Sequence, residues 1–112
     1  MQDFFDLFKY DNNLIVAFAR LESDLRSKYS SSVCSDYKFN YIVLSLNHDN
    51  SGLSWLRGIL KRRKFIYFKD IEDVITSYQT VNIVIKRKNY IFKFPTNTQA
   101  LIFYKGVNEM RV

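Results

Sequence analysis

The residues best suited to nucleophilic catalysis lie in one short segment, "NHDNSG" (Asn47 to Gly52). It contains the only histidine, His48, close to Asp49 and Ser51, so a base, an acid and a hydroxyl group are neighbours in sequence. A catalytic serine usually lies in a strained turn with characteristic glycines, and that pattern does not surround Ser51. The composition is instead typical of a turn, which predicts no nucleophilic catalysis here.

A second acidic segment, "DIED" (Asp70 to Asp73), brings three carboxylates together, as in a magnesium-dependent nuclease. Such sites need further carboxylates from other strands, so we expect Asp70 and Asp73 to cap a turn or to pair with Lys61 to Lys64. One histidine and one cysteine, Cys34, cannot form a zinc site, and three scattered glycines form no phosphate-binding loop. The sequence therefore predicts a protein that is not an enzyme and that binds no metal and no cofactor.

Positive charge is the feature that most clearly suggests binding. The first basic tract, Arg57 to Lys64, holds five positive residues in eight positions, and the second, Lys86 to Lys88, is followed by Lys93. The net charge is +6, but residues 1–54 carry −2 (five basic, seven acidic) and residues 55–112 carry +8 (twelve basic, four acidic). A charge polarised in this way along the chain predicts a polyanionic partner.

The main hypothesis is a small, non-enzymatic regulatory protein that binds nucleic acid. Clustered lysines and arginines neutralise phosphates, and exposed aromatic rings stack on unpaired bases, so RNA or single-stranded DNA is favoured. Duplex DNA ranks lower because no pair of helices resembles a helix-turn-helix. The predicted phosphate contacts are Arg57, Lys61, Arg62, Arg63, Lys64, Lys86, Arg87, Lys88 and Lys93. The predicted stacking residues are Trp55, Tyr67 and Tyr90, although most aromatic rings of a small domain must fill its core.

Two other interpretations of the same residues stay open. The segment Lys61 to Lys64 is also explained as a solvated strand entrance that discourages aggregation between sheet edges. Alternatively, the chain is a protein- or membrane-interaction module, in which the basic residues meet an acidic protein partner or anionic lipid. The apolar segment "DFFDLF" (Asp3 to Phe8) would then dock on a partner or form a homodimer.

The elements that position these residues begin with helices. "DFFDLFKY" (Asp3 to Tyr10) predicts a short helix. A second helix is predicted from Leu14 to about Tyr29, capped by the polar residues before it. Its apolar stripe recurs at helical spacing and consists of Leu14, Phe18, Leu21 and Leu25. A strand through "LIVAFA" (Leu14 to Ala19) is the competing prediction.

The pattern then becomes that of β-strands. "YKFNYIVLSL" (Tyr37 to Leu46) alternates and is apolar on both faces in its later part, which predicts a central strand. "LSWLRGIL" (Leu53 to Leu60) is ambiguous, whereas "KFIYFKDI" (Lys64 to Ile71) predicts a strand. Residues 81–94 predict a hairpin, with Lys86 to Asn89 as its connection and Asn89 able to take a positive φ.

Pro95 ends the hairpin, and the spacing of Thr96 and Gln99 predicts a capping box at the start of a C-terminal helix. The predicted fold is α+β: a small, strongly bent, mostly antiparallel sheet or half-open β-barrel of four to six strands, with N-terminal helices and a C-terminal helix. At 112 residues and 47% hydrophobic content we expect a single compact domain, residues 1–112. The absence of a predicted transmembrane segment or signal peptide suggests a cytoplasmic protein.

No family signature extends over a useful length, but the order of elements resembles two architectures. A β-rich domain closed by a C-terminal helix resembles pleckstrin-homology-type modules, and this resemblance implies basic loops that bind anionic lipid headgroups. A compact basic domain with a bent sheet also resembles the small RNA-binding barrels associated with pseudouridine synthases. The aromatic submotifs of the ribonucleoprotein fold and the glycine loop of the KH fold are missing. The resemblances assign no individual residue.

Overall fold

The computed structural model describes residues 2–8, 14–22, 40–57 and 62–111. In these ranges the chain forms the helices α1 (Gln2–Asp6) and α2 (Asn97–Met110), and a short 3₁₀ turn, Phe68–Asp70. The strands are β1 (Leu14–Glu22), β2 (Asn40–Leu46), β3 (Gly52–Arg57), β4 (Arg62–Tyr67), β5 (Asp73–Ser77), β6 (Thr80–Ile85) and β7 (Lys88–Lys93).

The seven strands of the described chain form one antiparallel sheet in the order β4-β3-β2-β1-β7-β6-β5. Trp55 of β3 contacts Tyr90 and Phe92 of β7, with ring centroids 6.1 and 5.6 Å apart. Since β2 and β1 lie between β3 and β7, this contact requires the sheet to curl on itself. The sheet is therefore a half-barrel whose concave face encloses the core.

Alternate residues of the strands build that core. In β1, Leu14 and Val16 are buried, whereas Ile15 between them is 53% exposed. The C-terminal helix α2 closes one side of the half-barrel, where its Phe103 ring lies 5.8 Å from Phe92 and 4.8 Å from Phe94. The result is a small α+β domain with a curled sheet and a C-terminal helix, as the sequence predicts in outline.

The N-terminal helix α1 packs against α2 instead of standing free. Phe4 is 1% exposed and contacts Phe68 and Phe103, and Phe8 is 6% exposed. Gly106 makes this packing possible, because a Cβ at this position would overlap the Phe4 ring. Phe4 and Phe8 of "DFFDLF" therefore belong to the core and offer no docking surface, whereas Phe5 and Leu7 are half-buried against it.

The predicted second helix is wrong, because Leu14–Glu22 forms the central strand β1. A step of four residues, as from Leu14 to Phe18, keeps two side chains on one face of a helix but also on one face of a strand. The competing prediction of a strand through "LIVAFA" is the correct one. The later part of the predicted helix, from Ser23 to Tyr29, lies outside the described residues.

The number of strands exceeds the predicted four to six, because β1 replaces the predicted second helix, β5 was not expected and the ambiguous segment after Gly52 forms β3. β4 ends at Tyr67, earlier than predicted, and Phe68–Asp70 forms the 3₁₀ turn. In the helix α2, the Thr96 side chain accepts the predicted bond from the Gln99 N–H at 3.1 Å. None of the helices in the described ranges is both long and apolar enough to cross a membrane.

Candidate functional site

The topology brings the two basic tracts to the same end of the half-barrel. β3 ends and β4 begins at the end of the sheet where β1 finishes, and Glu22 at the end of β1 pairs with Lys88 at the start of β7. The turn between β6 and β7 therefore lies at the same end as the start of β4. The two tracts, about 25 positions apart in sequence, are neighbours in space.

A cleft of about 340 Å³ lies between β4 and the hairpin of β6 and β7. We call it the basic cleft, and its described lining is Lys64, Phe65, Ile66, Tyr67, Asp70, Ile85, Lys86, Lys88 and Tyr90. Three ammonium groups face one carboxylate in this lining, so its formal charge is positive. Both basic tracts contribute to it, which gives the cleft an attraction for anionic groups.

The side chain of Lys64 is positioned by the core beneath it. Side chains of a strand alternate between the two faces of the sheet, and this alternation places Lys64, Lys88 and Tyr90 on the concave face. Tyr90 is 3% exposed and forms the floor of the cleft, with the Lys64 Nζ 5.7 Å from its ring centroid. A cation over an aromatic ring gains about 0.5–2 kcal/mol, which holds this ammonium group at the cleft.

Lys86 and Arg87 occupy the turn of the hairpin in an unfavourable backbone conformation. Their φ angles are +45° and +65°, which is the left-handed region at both central positions of the turn. Such turns favour Asn-Gly, because side chains with a Cβ cost about 1–2 kcal/mol per residue in this region. The predicted positive φ at Asn89 is wrong, since Asn89 is a buried strand residue that accepts a hydrogen bond from Asn82 Nδ2 at 2.9 Å.

The other predicted cationic residues lie around the basic cleft or away from it. Arg62, Arg63 and Arg87 are exposed near it, and the Arg63 guanidinium donates to Ser54 Oγ at 3.0 Å on the convex face. Lys93 is at the opposite end of β7 and lines a different cavity. The side chain of Arg57 and all of Lys61 lie outside the described residues.

The three aromatic candidates have different environments. Trp55 is 1% exposed and packs on Phe18 and Phe92 in the core. Together with the burial of Tyr90, this makes the prediction of exposed stacking rings wrong for both residues, because a small curled sheet needs its largest rings to fill its interior. Tyr67 is 41% exposed and lies at the cleft.

The residues considered for catalysis are engaged in turns. Ser51 Oγ donates to Asp49 at 2.7 Å, and this bond, with a second from the Ser51 N–H, holds the pKa of Asp49 below its usual value. In the acidic segment, Asp73 accepts from the Val74 N–H, and Glu72 accepts from the Lys86 N–H. Among the described residues, no group of three or more His, Cys, Asp or Glu side chains is placed to hold a metal ion.

Sequence reasoning missed Phe65 and Ile85 as parts of the site. Ile85 is an ordinary apolar strand residue and carries no signal. For Phe65 a signal exists: three consecutive basic residues at the start of a short strand are typical of the edge of a sheet. β4 is such an edge strand, and its position at the end of the sheet order is what opens the cleft.

The solved structures that share this fold include the following three. The inner membrane complex sub-compartment protein 3 (ISP3) from Toxoplasma gondii aligns with a TM-score of 0.68 at 12% identity, over 98% of this chain and 83% of its own. The PH domain from PfAPH gives a TM-score of 0.65 at 14% identity, covering 98% of this chain and 86% of that one. The PH domain from TgAPH gives 0.62 at 12% identity, covering 99% and 87%. No protein-family model matches the sequence, and no curated protein matches it.

These neighbours overturn the main hypothesis from the sequence. The prediction of an RNA- or single-stranded-DNA-binding regulator is wrong, because the solved structures that share the curled sheet and closing helix include two PH domains. Two of its three stacking residues are also buried. The alternative interpretation, an interaction module of the pleckstrin-homology type, is the one that the fold favours. With its seven-stranded half-barrel closed by a C-terminal helix, this chain has the fold of the pleckstrin-homology domain.

Proposed function

We propose that this chain is a non-catalytic interaction module that binds acidic protein partners through the basic cleft. The single observation that carries the proposal is that Lys64, Lys86 and Lys88 line one cleft, although they come from two separate tracts. An acidic segment placed there gains from several cations at once, which steers association and selects against neutral partners.

The turn of the hairpin supports the same proposal. Lys86 and Arg87 adopt positive φ angles where Asn and Gly would be less strained. A residue type that conflicts with its local backbone is most often found at a functional site. The positive charge at the mouth of the cleft explains why Lys and Arg would occupy these positions.

An acidic protein is favoured over an anionic membrane because of what else lines the cleft. The Asp70 carboxylate repels a phosphorylated headgroup, whereas a polypeptide can present donors as well as acceptors to it. The name of ISP3 refers to an inner membrane complex, so anionic vesicles are the natural competing ligand in the test. The cytoplasmic location and the single-domain organisation expected from the sequence stay predictions.

The test compares two double variants that each remove two positive charges. Lys86→Ala with Lys88→Ala removes cations of the cleft, and Ala keeps the backbone of residue 86 as strained as Lys does. Lys93→Ala with Lys105→Ala is the matched control, because both lysines are exposed and neither lines the cleft.

Binding of a Glu-rich peptide and of vesicles rich in phosphatidylserine is measured at about 50 mM and about 200 mM salt. We expect the cleft variant to bind the peptide about ten-fold more weakly and the control variant to change by less than about two-fold. Equal losses in the two variants would mean that the peptide responds to net charge alone. Binding of the vesicles without binding of the peptide would mean that the partner is an anionic membrane and not an acidic protein.

A further inference from the structure

The basic cleft contains not only charged side chains but also the free edge of a β-strand. β4 is the last strand of the sheet order, and its pairing among the described strands is with β3 alone. One of its edges therefore has no strand beside it in the described part of the chain. The cleft runs along residues Lys64 to Tyr67 of this strand.

The direction of the backbone groups of β4 follows from two observations. The Phe68 N–H donates to the Ser51 carbonyl at 3.0 Å, so the backbone of Phe68 faces β3. The Ile66 carbonyl lies so close to Gly52 that a Cβ at Gly52 would overlap it, so Ile66 faces β3 too. Because successive residues of a strand direct their N–H and C=O groups to alternate sides, those of Phe65 and Tyr67 point away from β3, toward the free edge.

We propose that the free edge of β4 binds an extended acidic peptide as an additional antiparallel or parallel strand; this rests on the proposed function and specifies its mode. Edge addition supplies main-chain hydrogen bonds, and alternate side chains of the added strand supply specificity. The backbone groups of Phe65 and Tyr67 provide two donors and two acceptors about 7 Å apart. A phosphate group offers no donor for these carbonyls.

The two faces of β4 predict the sequence pattern of the peptide. Residues of an added strand that lie beside Lys64 share its concave face, together with Lys86 and Lys88 across the cleft. Residues beside Phe65 and Tyr67 lie on the convex face, where these side chains are 46% and 41% exposed. The peptide is therefore expected to alternate acidic residues with apolar ones.

The charge of β4 also decides against a second copy of this chain as the occupant. The strand reads "RRKFIY" and carries three positive charges in six residues. A parallel pair of such strands would place like charges directly opposite each other, which is destabilising, and a pair in either orientation would bring six positive charges to one interface. The same three residues attract an acidic strand.

A pair of substitutions at one position separates the backbone from the side chain. Phe65→Pro removes the N–H that faces the free edge and leaves the ladder with β3 intact, since proline is tolerated at edge positions whose N–H faces outward. Phe65→Ala removes the ring but keeps the N–H. Circular dichroism and urea unfolding establish that both variants are folded.

The probe peptides have one composition in two orders: acetylated, amidated Gly-Glu-Val-Glu-Val-Glu-Gly and its permutation Gly-Glu-Glu-Glu-Val-Val-Gly. We expect the alternating peptide to bind the wild-type chain more tightly than the permuted one. Phe65→Pro should weaken its binding about ten-fold relative to Phe65→Ala, as expected for a hydrogen bond of roughly 1.5 kcal/mol. Saturation with the peptide should slow amide hydrogen exchange at Phe65 and Tyr67 in the wild-type chain.

The outcomes distinguish the two proposals. If Phe65→Pro binds like Phe65→Ala while Lys86→Ala with Lys88→Ala still weakens binding, strand addition is refuted and the acidic-partner function stands. If neither peptide binds the wild-type chain, the proposed function fails and strand addition with it. If Phe65→Pro does not fold, amide exchange in the wild-type chain decides, and unchanged rates at Phe65 and Tyr67 overturn the inference. Dimers of the wild-type chain that the alternating peptide dissociates would identify a second copy as the occupant and overturn the inference.

Discussion

Gly106 is the position where one added methyl group tests the packing of α1 on α2. A Cβ there overlaps the ring of Phe4, which is itself held in edge contact with Phe8 at 5.4 Å and with Phe68 at 6.3 Å. In an exposed helix, alanine stabilises by about 1 kcal/mol relative to glycine. Forcing extra volume into a filled site costs about 1–3 kcal/mol. Because a Cβ at Gly106 overlaps the buried Phe4 ring, we expect the packing cost to exceed the propensity gain and Gly106→Ala to lower the free energy of unfolding by up to about 2 kcal/mol net.

Urea unfolding of a double-mutant cycle measures this effect. Phe4→Ala removes the ring, so Gly106→Ala should become less costly in that background by about 1 kcal/mol or more. Lys105→Ala, at the exposed neighbouring position, is the control and should change the free energy of unfolding by less than about 0.5 kcal/mol. If Gly106→Ala instead stabilises the wild-type chain by the full helix-propensity difference, α1 does not pack on α2 in solution. The apolar N-terminal segment would then be free to dock elsewhere, as its sequence first suggested.

Two further predictions concern turns. The double substitution Lys86→Asn with Arg87→Gly should raise the free energy of unfolding by about 1–2 kcal/mol in urea titrations, because both positions have positive φ. The same substitution should weaken the binding of an acidic peptide. A loss of stability would contradict the turn geometry. Ser51→Ala should raise the pKa of Asp49 toward its ordinary value in an NMR titration, because Ser51 supplies the bonds that lower it. Since the folded pKa is lowered, the stabilisation is present above the unfolded pKa and is lost as pH falls through the folded one; an unchanged pKa after the substitution would refute this cause.

The sequence could predict the class of fold because the signals involved are local. Alternation in "YKFNYIVLSL", the hairpin near Val81 and the cap at Thr96 each depend on residues a few positions apart, and each element exists. β1 was assigned to a helix because the step of four from Leu14 to Phe18 keeps both side chains on one face of a helix and also on one face of a strand. What decides between them is the pairing with β2 and β7, whose residues are distant in sequence.

The sequence could predict which basic residues contribute to the candidate site, but not how these residues are arranged in space. The basic residues of both tracts were identified, yet only the order of strands shows that Lys64, Lys86 and Lys88 share a cleft and that Lys93 does not. For the aromatic residues, proximity to charge in the sequence was misleading. Trp55 and Tyr90 each lie two positions from a charged residue in sequence, but a curled sheet directs alternate side chains inward, so their rings fill the core.

The two interpretations of the basic strand that the sequence left open, a collar against aggregation and a binding surface, are compatible in this fold. A strand at the end of a sheet exposes unpaired backbone groups whatever its side chains are, so it needs protection from strands like itself. Arg62, Arg63 and Lys64 provide that protection only against partners of the same charge. Lys86 and Lys88 lie across the cleft, where they protect no edge and instead increase the attraction for an acidic segment. A collar alone does not explain the strained turn that carries Lys86 and Arg87, whereas the proposed selection of an acidic strand does.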